Sequence, residues 1–192
     1  MKRYLLILCF LTGLIHHSYG QNKPPFSKGT SIISAGIGIG NIWKTFLQEA
    51  FTYPSNTYKV SSKGTYTLVY EYGFSKRISA GIASGYSRVV GKFNGFGQTF
   101  TETLTNFSVL ARSNYHVGKF KKFDPYIGVG VGYYNFQYHN DKPGIINSKV
   151  PGAFGYSVQI GSHYYFIPRF GVFAEIGYVG GSIIQIGGTF KF

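Results

Sequence analysis

Ser162 and His163 stand side by side, and a serine with a histidine is the pairing from which a nucleophile and its base are made. Such a pair would cleave an acyl ester, provided that both side chains reach the same point. Phosphate chemistry has its own candidates in the runs GIGIG (36–40) and GVGVG (128–132). Metal chemistry has His116, His139 and His163. A third set is ionic: Glu71, Arg77, Arg112, Glu175 and Lys191. What each set can do depends on the elements that carry it.

Those elements read with period two, so they are strands. Residues 64–74 alternate most cleanly, with Tyr66, Leu68, Tyr70, Tyr72 and Phe74 on one side and Thr65, Thr67, Val69, Glu71 and Gly73 on the other. The same rhythm predicts strands near 30–42, 77–88, 101–115, one opened by the run DPYIGVGVGYY (124–134), and others near 153–166, 170–178 and 183–192, eight in all. Leu104 and Leu110 are apolar exceptions on the polar side of the fourth. Ser75 and Lys76 form a tight turn that makes the second and third strands antiparallel neighbours.

Strand geometry disposes of most of the chemistry. Adjacent residues point to opposite faces, so Ser162 and His163 cannot share a proton. The glycine runs fall on one side of a strand and open no helix, so they do not form a phosphate-binding loop. The three histidines are expected in a turn, a loop and the barrel interior, with no metal-ligand spacing between them. No catalytic residue, cofactor site or metal site is assigned. The ionic set is different: Glu71, Arg77, Arg112 and Lys191 are all expected to project inward at similar depth, with Glu175 on the inward face of its own strand. An unpaired buried charge costs several kcal/mol, so a Glu71–Arg112 ion pair is expected, structural in role.

The two ends of the chain carry addresses. Lys2 and Arg3 precede an apolar run from Tyr4 to Ile15, followed by Ser18, Tyr19 and Gly20, the pattern of a secretory signal peptide cleaved after residue 20. Cleavage would remove the single cysteine, Cys9, leaving no disulfide or thiol chemistry. It would also remove two of the 19 basic residues, and the remaining 17 set against 6 acidic ones give +11. Residues 21–28 are a short periplasmic lead, and 29–192 form the domain. At the other end, Ile184, Ile186, Phe190 and Phe192 alternate with Gln185, Gly187, Thr189 and Lys191. A last strand of this kind, with Phe190 and the terminal Phe192, is read as an assembly signal for a membrane barrel.

Composition supports a membrane setting. Charged residues make up 13% and aromatics 19% of the chain, against about a quarter charged in soluble domains. Strands that face hydrocarbon must close into a barrel, because open edges cannot be satisfied there. The fold class expected is all-β: an eight-stranded antiparallel up-and-down transmembrane β-barrel.

On the signal peptide followed by Gln21, the strand start DPYIGVGVGYY and the ending IIQIGGTFKF, the chain resembles the small eight-stranded outer-membrane barrels of Gram-negative bacteria. These are the OmpA-like and OmpX-like forms, especially those of Bacteroidetes. The resemblance implies an outer-membrane address and leaves the activity open, since such barrels serve as adhesins, anchors, narrow pores, secretion accessories and lipid-modifying enzymes.

Short turns belong in the periplasm and long loops outside, which places 43–63, 89–100 and 139–152 outside with a very short fourth loop near 179–182. The first loop is rich in aromatics, Trp43, Phe46, Phe51, Tyr53 and Tyr58, and serves either as a contact surface or as a rim girdle folded over the mouth. Inward glycines make room for Tyr126, Tyr134, Phe136, Tyr165 and Phe173, so the lumen is expected to be filled. The functional reading is a non-enzymatic, monomeric barrel with a structural or interaction role. A narrow pore and a lipid A-modifying enzyme stand as alternatives. Expected partners are outer-membrane lipid and lipopolysaccharide, the barrel-assembly machinery, and an extracellular or periplasmic protein, for which the Lys119, Lys121 and Lys122 turn is one docking point. The basic residues lie at strand ends without an aromatic platform, so nucleic acid is not a partner.

Overall fold

The computed structural model describes residues 24–50, 58–95, 98–118, 120–142 and 148–192. The signal peptide and residues 21–23, and also Phe51, Tyr53 and Lys119, lie outside them. Eight antiparallel strands close a barrel in sequence order: β1 Ser31–Ile39, β2 Tyr58–Gly73, β3 Ile78–Gly95, β4 Gln98–His116, β5 Phe123–Asn140, β6 Ser148–Tyr165, β7 Phe170–Val179 and β8 Ser182–Lys191. β8 closes on β1 in the register Ile33↔Phe190 and Ile37↔Ile186, and Phe192 exchanges both backbone hydrogen bonds with Ser31, at 3.0 and 2.9 Å.

Alternation decides which side is wet by lipid. Leu68, Ile82, Val129, Val131, Ile160 and Ile176 are all more than half exposed, on the outer wall. Thr65, Ser79, Asn106, Asn114, Gln159 and Gln185 are buried inside. Leu104 and Leu110, the two exceptions in the sequence, point inward as well.

The strands are unequal. β1, β7 and β8 have 9, 10 and 10 residues. At about 3.3 Å per residue and a tilt near 40°, ten residues cover about 25 Å, the height of the apolar band of such a barrel. β2 to β6 have 16 to 19 residues, so they rise up to about 20 Å beyond it by the same arithmetic. Of the expected loops 89–100 and 139–152, residues 89–95, 98–100, 139–140 and 148–152 are therefore strand. Loops leave backbone groups for water to satisfy, whereas here the hairpin ladder continues to Gly95↔Gln98 and Tyr138↔Ser148.

The first long connection also differs from expectation, because 42–50 is an α-helix, α1 (Ile42–Ala50). Asn41 caps it, its Oδ1 accepting the Trp43 backbone N–H at 3.0 Å, and Asn41 Nδ2 ties the cap to Ser62 Oγ at 3.0 Å. Trp43 and Leu47, four residues apart, share the face turned into the barrel, while Phe46 is exposed. Period-two reading could not register a nine-residue helix. The bulge at Ser62/Thr65 lets β2 bend beneath it, and it requires Gly64: φ is +92°, and a Cβ there would stand 2.6 Å from the Gly38 carbonyl oxygen.

Candidate functional site

The lumen is a stack of layers, beginning at the end that carries residues 24–30, the end of β8 and the turns after β2, β4 and β6. This is the periplasmic end by the rule of short turns. The lead segment enters it. Pro25 and Phe26 are buried, and Lys191 Nζ donates to the Pro25 carbonyl at 2.8 Å while lying 4.5 Å over the Tyr165 ring. Gly73 allows the close approach, since a Cβ there would meet Ser27 O at 2.5 Å.

Phe26 stacks on His116, which opens the next layer. His116 Nδ1 is 2.9 Å from Asp124 Oδ1 and its Nε2 is 3.1 Å from Ser79 Oγ. Asp124 is shared with His163 Nδ1 at 3.3 Å. Ser79 Oγ donates to Glu71 Oε2 at 3.0 Å. Asp124 and His163 are direct partners across β5 and β6, and His116 keeps the inward parity of Arg112 and Asn114.

One layer further in, Arg112 Nη2 lies 3.2 Å from Glu71 Oε1 and 2.6 Å from Glu175 Oε1. Asn114 Nδ2 donates to Glu71 at 2.7 Å, and the Tyr126 hydroxyl donates to Glu175 at 2.7 Å. Two carboxylates thus flank one guanidinium, each with a neutral donor besides. At 2–3% exposure all three charges depend on each other.

Above this ionic layer come two apolar ones. Val69, Ala83, Leu110 and Tyr134 form the first, and Leu47, Val89 and Leu104 the second, with Trp43 and Phe136 packed against both. Trp43 meets Phe136 edge-on at 4.7 Å. The helix therefore fills the outer mouth and does not leave its tryptophan on the rim. Topmost is Glu102, held by the hydroxyls of Tyr58 and Tyr138, the latter at 2.7 Å.

Of the ionic residues read from the sequence, Glu71, Arg112 and Glu175 meet. Arg77 does not, and this corrects its inward assignment. It precedes β3 in a turn where Ser75 Oγ accepts the N–H groups of Arg77 and Ile78 at 3.2 and 3.0 Å. Alternation does not govern a turn residue, so its guanidinium turns outward to the Tyr115 hydroxyl at 2.8 Å, where water reaches it. Lys191 lies apart from the ion cluster as well, one layer lower against the lead segment. The sequence pattern does not gather Asp124, His116 and His163 as a group, because it places His116 in a turn. Carrying the alternation of β4 one residue further, to 116, and that of β5 back to Asp124 finds all three.

Ser79, His116 and Asp124 have the contacts of a hydrolytic triad. The Ser79 proton, however, is engaged by Glu71, the serine is fully buried, and Phe26 covers the imidazole. The group is a hydrogen-bonded brace between β3, β4, β5 and β6. Among the described residues no set of three or more His, Asp or Glu side chains is arranged to hold a metal ion.

A closed eight-stranded antiparallel barrel with an apolar outside and a polar, filled inside is an outer-membrane barrel. The sequence model of the outer membrane protein beta-barrel domain matches residues 22–191, and the chain belongs to that family. Comparison with curated proteins gives no match. Similar solved structures include Ail, the attachment invasion locus protein of Yersinia pestis, in complex with the heparin analogue sucrose octasulfate. It is 15% identical with a TM-score of 0.46, over 86% of this chain and 99% of that one. OprG of Pseudomonas aeruginosa is 14% identical with a TM-score of 0.48, over 87% and 97%. E. coli outer membrane protein W is 14% identical with a TM-score of 0.46, over 87% and 99%.

Proposed function

We propose that the protein is a non-enzymatic interaction barrel whose working surface is the sheet formed by the outer halves of β2 to β6. The inequality of the strands carries this reading. Above a girdle formed by Tyr66, Tyr86 and Phe107, register neighbours on three strands, the outward side chains change character. They become Lys59, Arg88, Lys92, Thr103, Thr105 and Gln137. A wall that only had to span the membrane would stop at the girdle, as β1, β7 and β8 do. Building a further 20 Å or so of hydrogen-bonded sheet outside makes a rigid polar platform, and rigid elements present a contact surface at low entropic cost.

Lys59, Arg88 and Lys92 make this platform basic, complementary to the anionic sugar phosphates at the cell surface. Lipopolysaccharide is the partner it suits. Purified protein should retain lipopolysaccharide micelles at low salt and lose them as salt rises. Changing Lys59, Arg88 and Lys92 together to Gln should abolish that salt-sensitive part. Equal retention by the triple variant would sink the reading.

A further inference from the structure

The lipid-facing wall carries a groove where β6, β7, β8 and β1 adjoin. It is about 620 Å³, walled by Ile37, Tyr164, Val172 and Ile186 and shallow-floored at Ala174 and Gly187. Ser162 stands in it, opposite Ala174 in the β6–β7 register. Outward serines elsewhere on this wall return their hydroxyls to the neighbouring strand, Ser84 to Leu68 O at 3.3 Å and Ser113 to Ser79 O at 2.8 Å. Ser162 Oγ has no such partner among the described residues. A hydroxyl left unpaired against hydrocarbon is costly, and an acceptor delivered by the occupant of the groove would relieve it.

The surroundings say which occupant. Ser162 lies a few residues from the periplasmic end of β6. Just below it Lys122 is held by the Tyr165 N–H donating to its carbonyl at 2.9 Å, and Arg169 by the Lys191 N–H donating to its own at 2.7 Å. Both side chains are exposed at the rim. From the rim upward come two exposed cations, on side chains long enough to reach the wall from their turns, then on the wall itself a hydroxyl donor and an apolar channel. A phosphoglyceride presents its phosphate, ester carbonyl and acyl chain in that order.

We propose that this groove binds one phospholipid of the periplasmic leaflet. Its acyl chain lies against Ala174 and Ile186, its ester carbonyl accepts the Ser162 hydroxyl, and its phosphate sits between Lys122 and Arg169. The assignment rests on the short turns and the end of β8 facing the periplasm. Lipid A, in the opposite leaflet, would bring its phosphates to the wrong end.

The test is native mass spectrometry of the protein released from nanodiscs of equimolar phosphatidylethanolamine and phosphatidylglycerol, with folding checked by heat-shifted gel mobility. The wild type should keep one phospholipid. Ala174→Phe, which fills the groove, should keep none, and Ala111→Phe, outward on β4 across the barrel, should behave as wild type. Ser162→Val should lower retention about 2- to 10-fold, the worth of one hydrogen bond. Should Ala174→Phe fail to fold, the rim double variant Lys122→Gln/Arg169→Gln must lose the lipid instead. Wild type without lipid, retention that neither variant changes, or a two-chain assembly that Ala174→Phe dissociates would each overturn the proposal, the last by making the occupant a second copy.

Discussion

The ring of Phe26 lies 3.5 Å from that of His116 and within 3° of parallel, so a residue that precedes the first strand is part of the barrel core. Stacking against a ring that is itself held by Asp124 and Ser79 fixes the lead where it crosses the mouth. Phe26→Ala should therefore lower stability by about 3 kcal/mol, as for other buried aromatic truncations. Urea unfolding in lipid vesicles measures it, and an unchanged midpoint would show that the lead is not seated.

Arg112 is bonded to both Glu71 and Glu175. Arg112→Met alone strands two buried carboxylates and should cost about 3–5 kcal/mol. Adding Glu71→Gln and Glu175→Gln should recover much of that loss, since a neutral layer has no charge left to compensate while an amide oxygen remains to accept from Asn114 and Tyr126. A triple variant no more stable than Arg112→Met would mean that the charges do not act as a unit.

The barrel was legible in the sequence because each membrane-spanning strand has lipid on one side and packed polar groups on the other, so hydropathy alternates residue by residue. Glu71 and Arg112 could be placed together for the same reason. Alternation fails where the backbone leaves the strand. Arg77 sits in a turn and α1 in a connection, and for these the deciding contacts are local: Ser75 for one, Asn41 and Ser62 for the other. It also fails above the girdle, where water replaces lipid and polar residues lie on both faces. There strand and loop look alike in composition, which is why the outer ends of these strands, 89–95, 98–100, 139–140 and 148–152, read as loops.

Phe192 is 57% exposed to the lipid side, yet its backbone is bonded on both sides to Ser31. Main-chain bonds survive a change of side chain, so Phe192→Ala should scarcely move the urea midpoint of refolded protein. If the ring is an assembly signal, the same variant should reduce the heat-modifiable fraction in cellular outer membranes several-fold. Equal membrane levels of variant and wild type would remove that role.

The two apolar layers, Val69 with Leu110 and Leu47 with Leu104, cross the lumen between polar ones. Ions would have to shed water to pass through a side-chain-filled constriction of this kind. Planar bilayers holding the protein should show no steady current, and a reproducible unitary conductance in the wild type would favour the pore reading over the sealed one.

Ser79 separates the enzymatic reading from the structural one, because each predicts a different loss on Ser79→Ala. A nucleophile activated by His116 and Asp124 would lose its reaction while the fold kept its other contacts. A brace would lose stability instead: Glu71 Oε2 forfeits the 3.0 Å bond it accepts and His116 Nε2 a partner at 3.1 Å, both buried. Leaving such groups unsatisfied costs about 1–3 kcal/mol each. Ser79→Ala should thus lower the unfolding midpoint while lipid A and phospholipid mass spectra of cells carrying it match those of wild type. Altered lipid spectra with an unchanged midpoint would make the buried group an active site, with the lead segment as its cover.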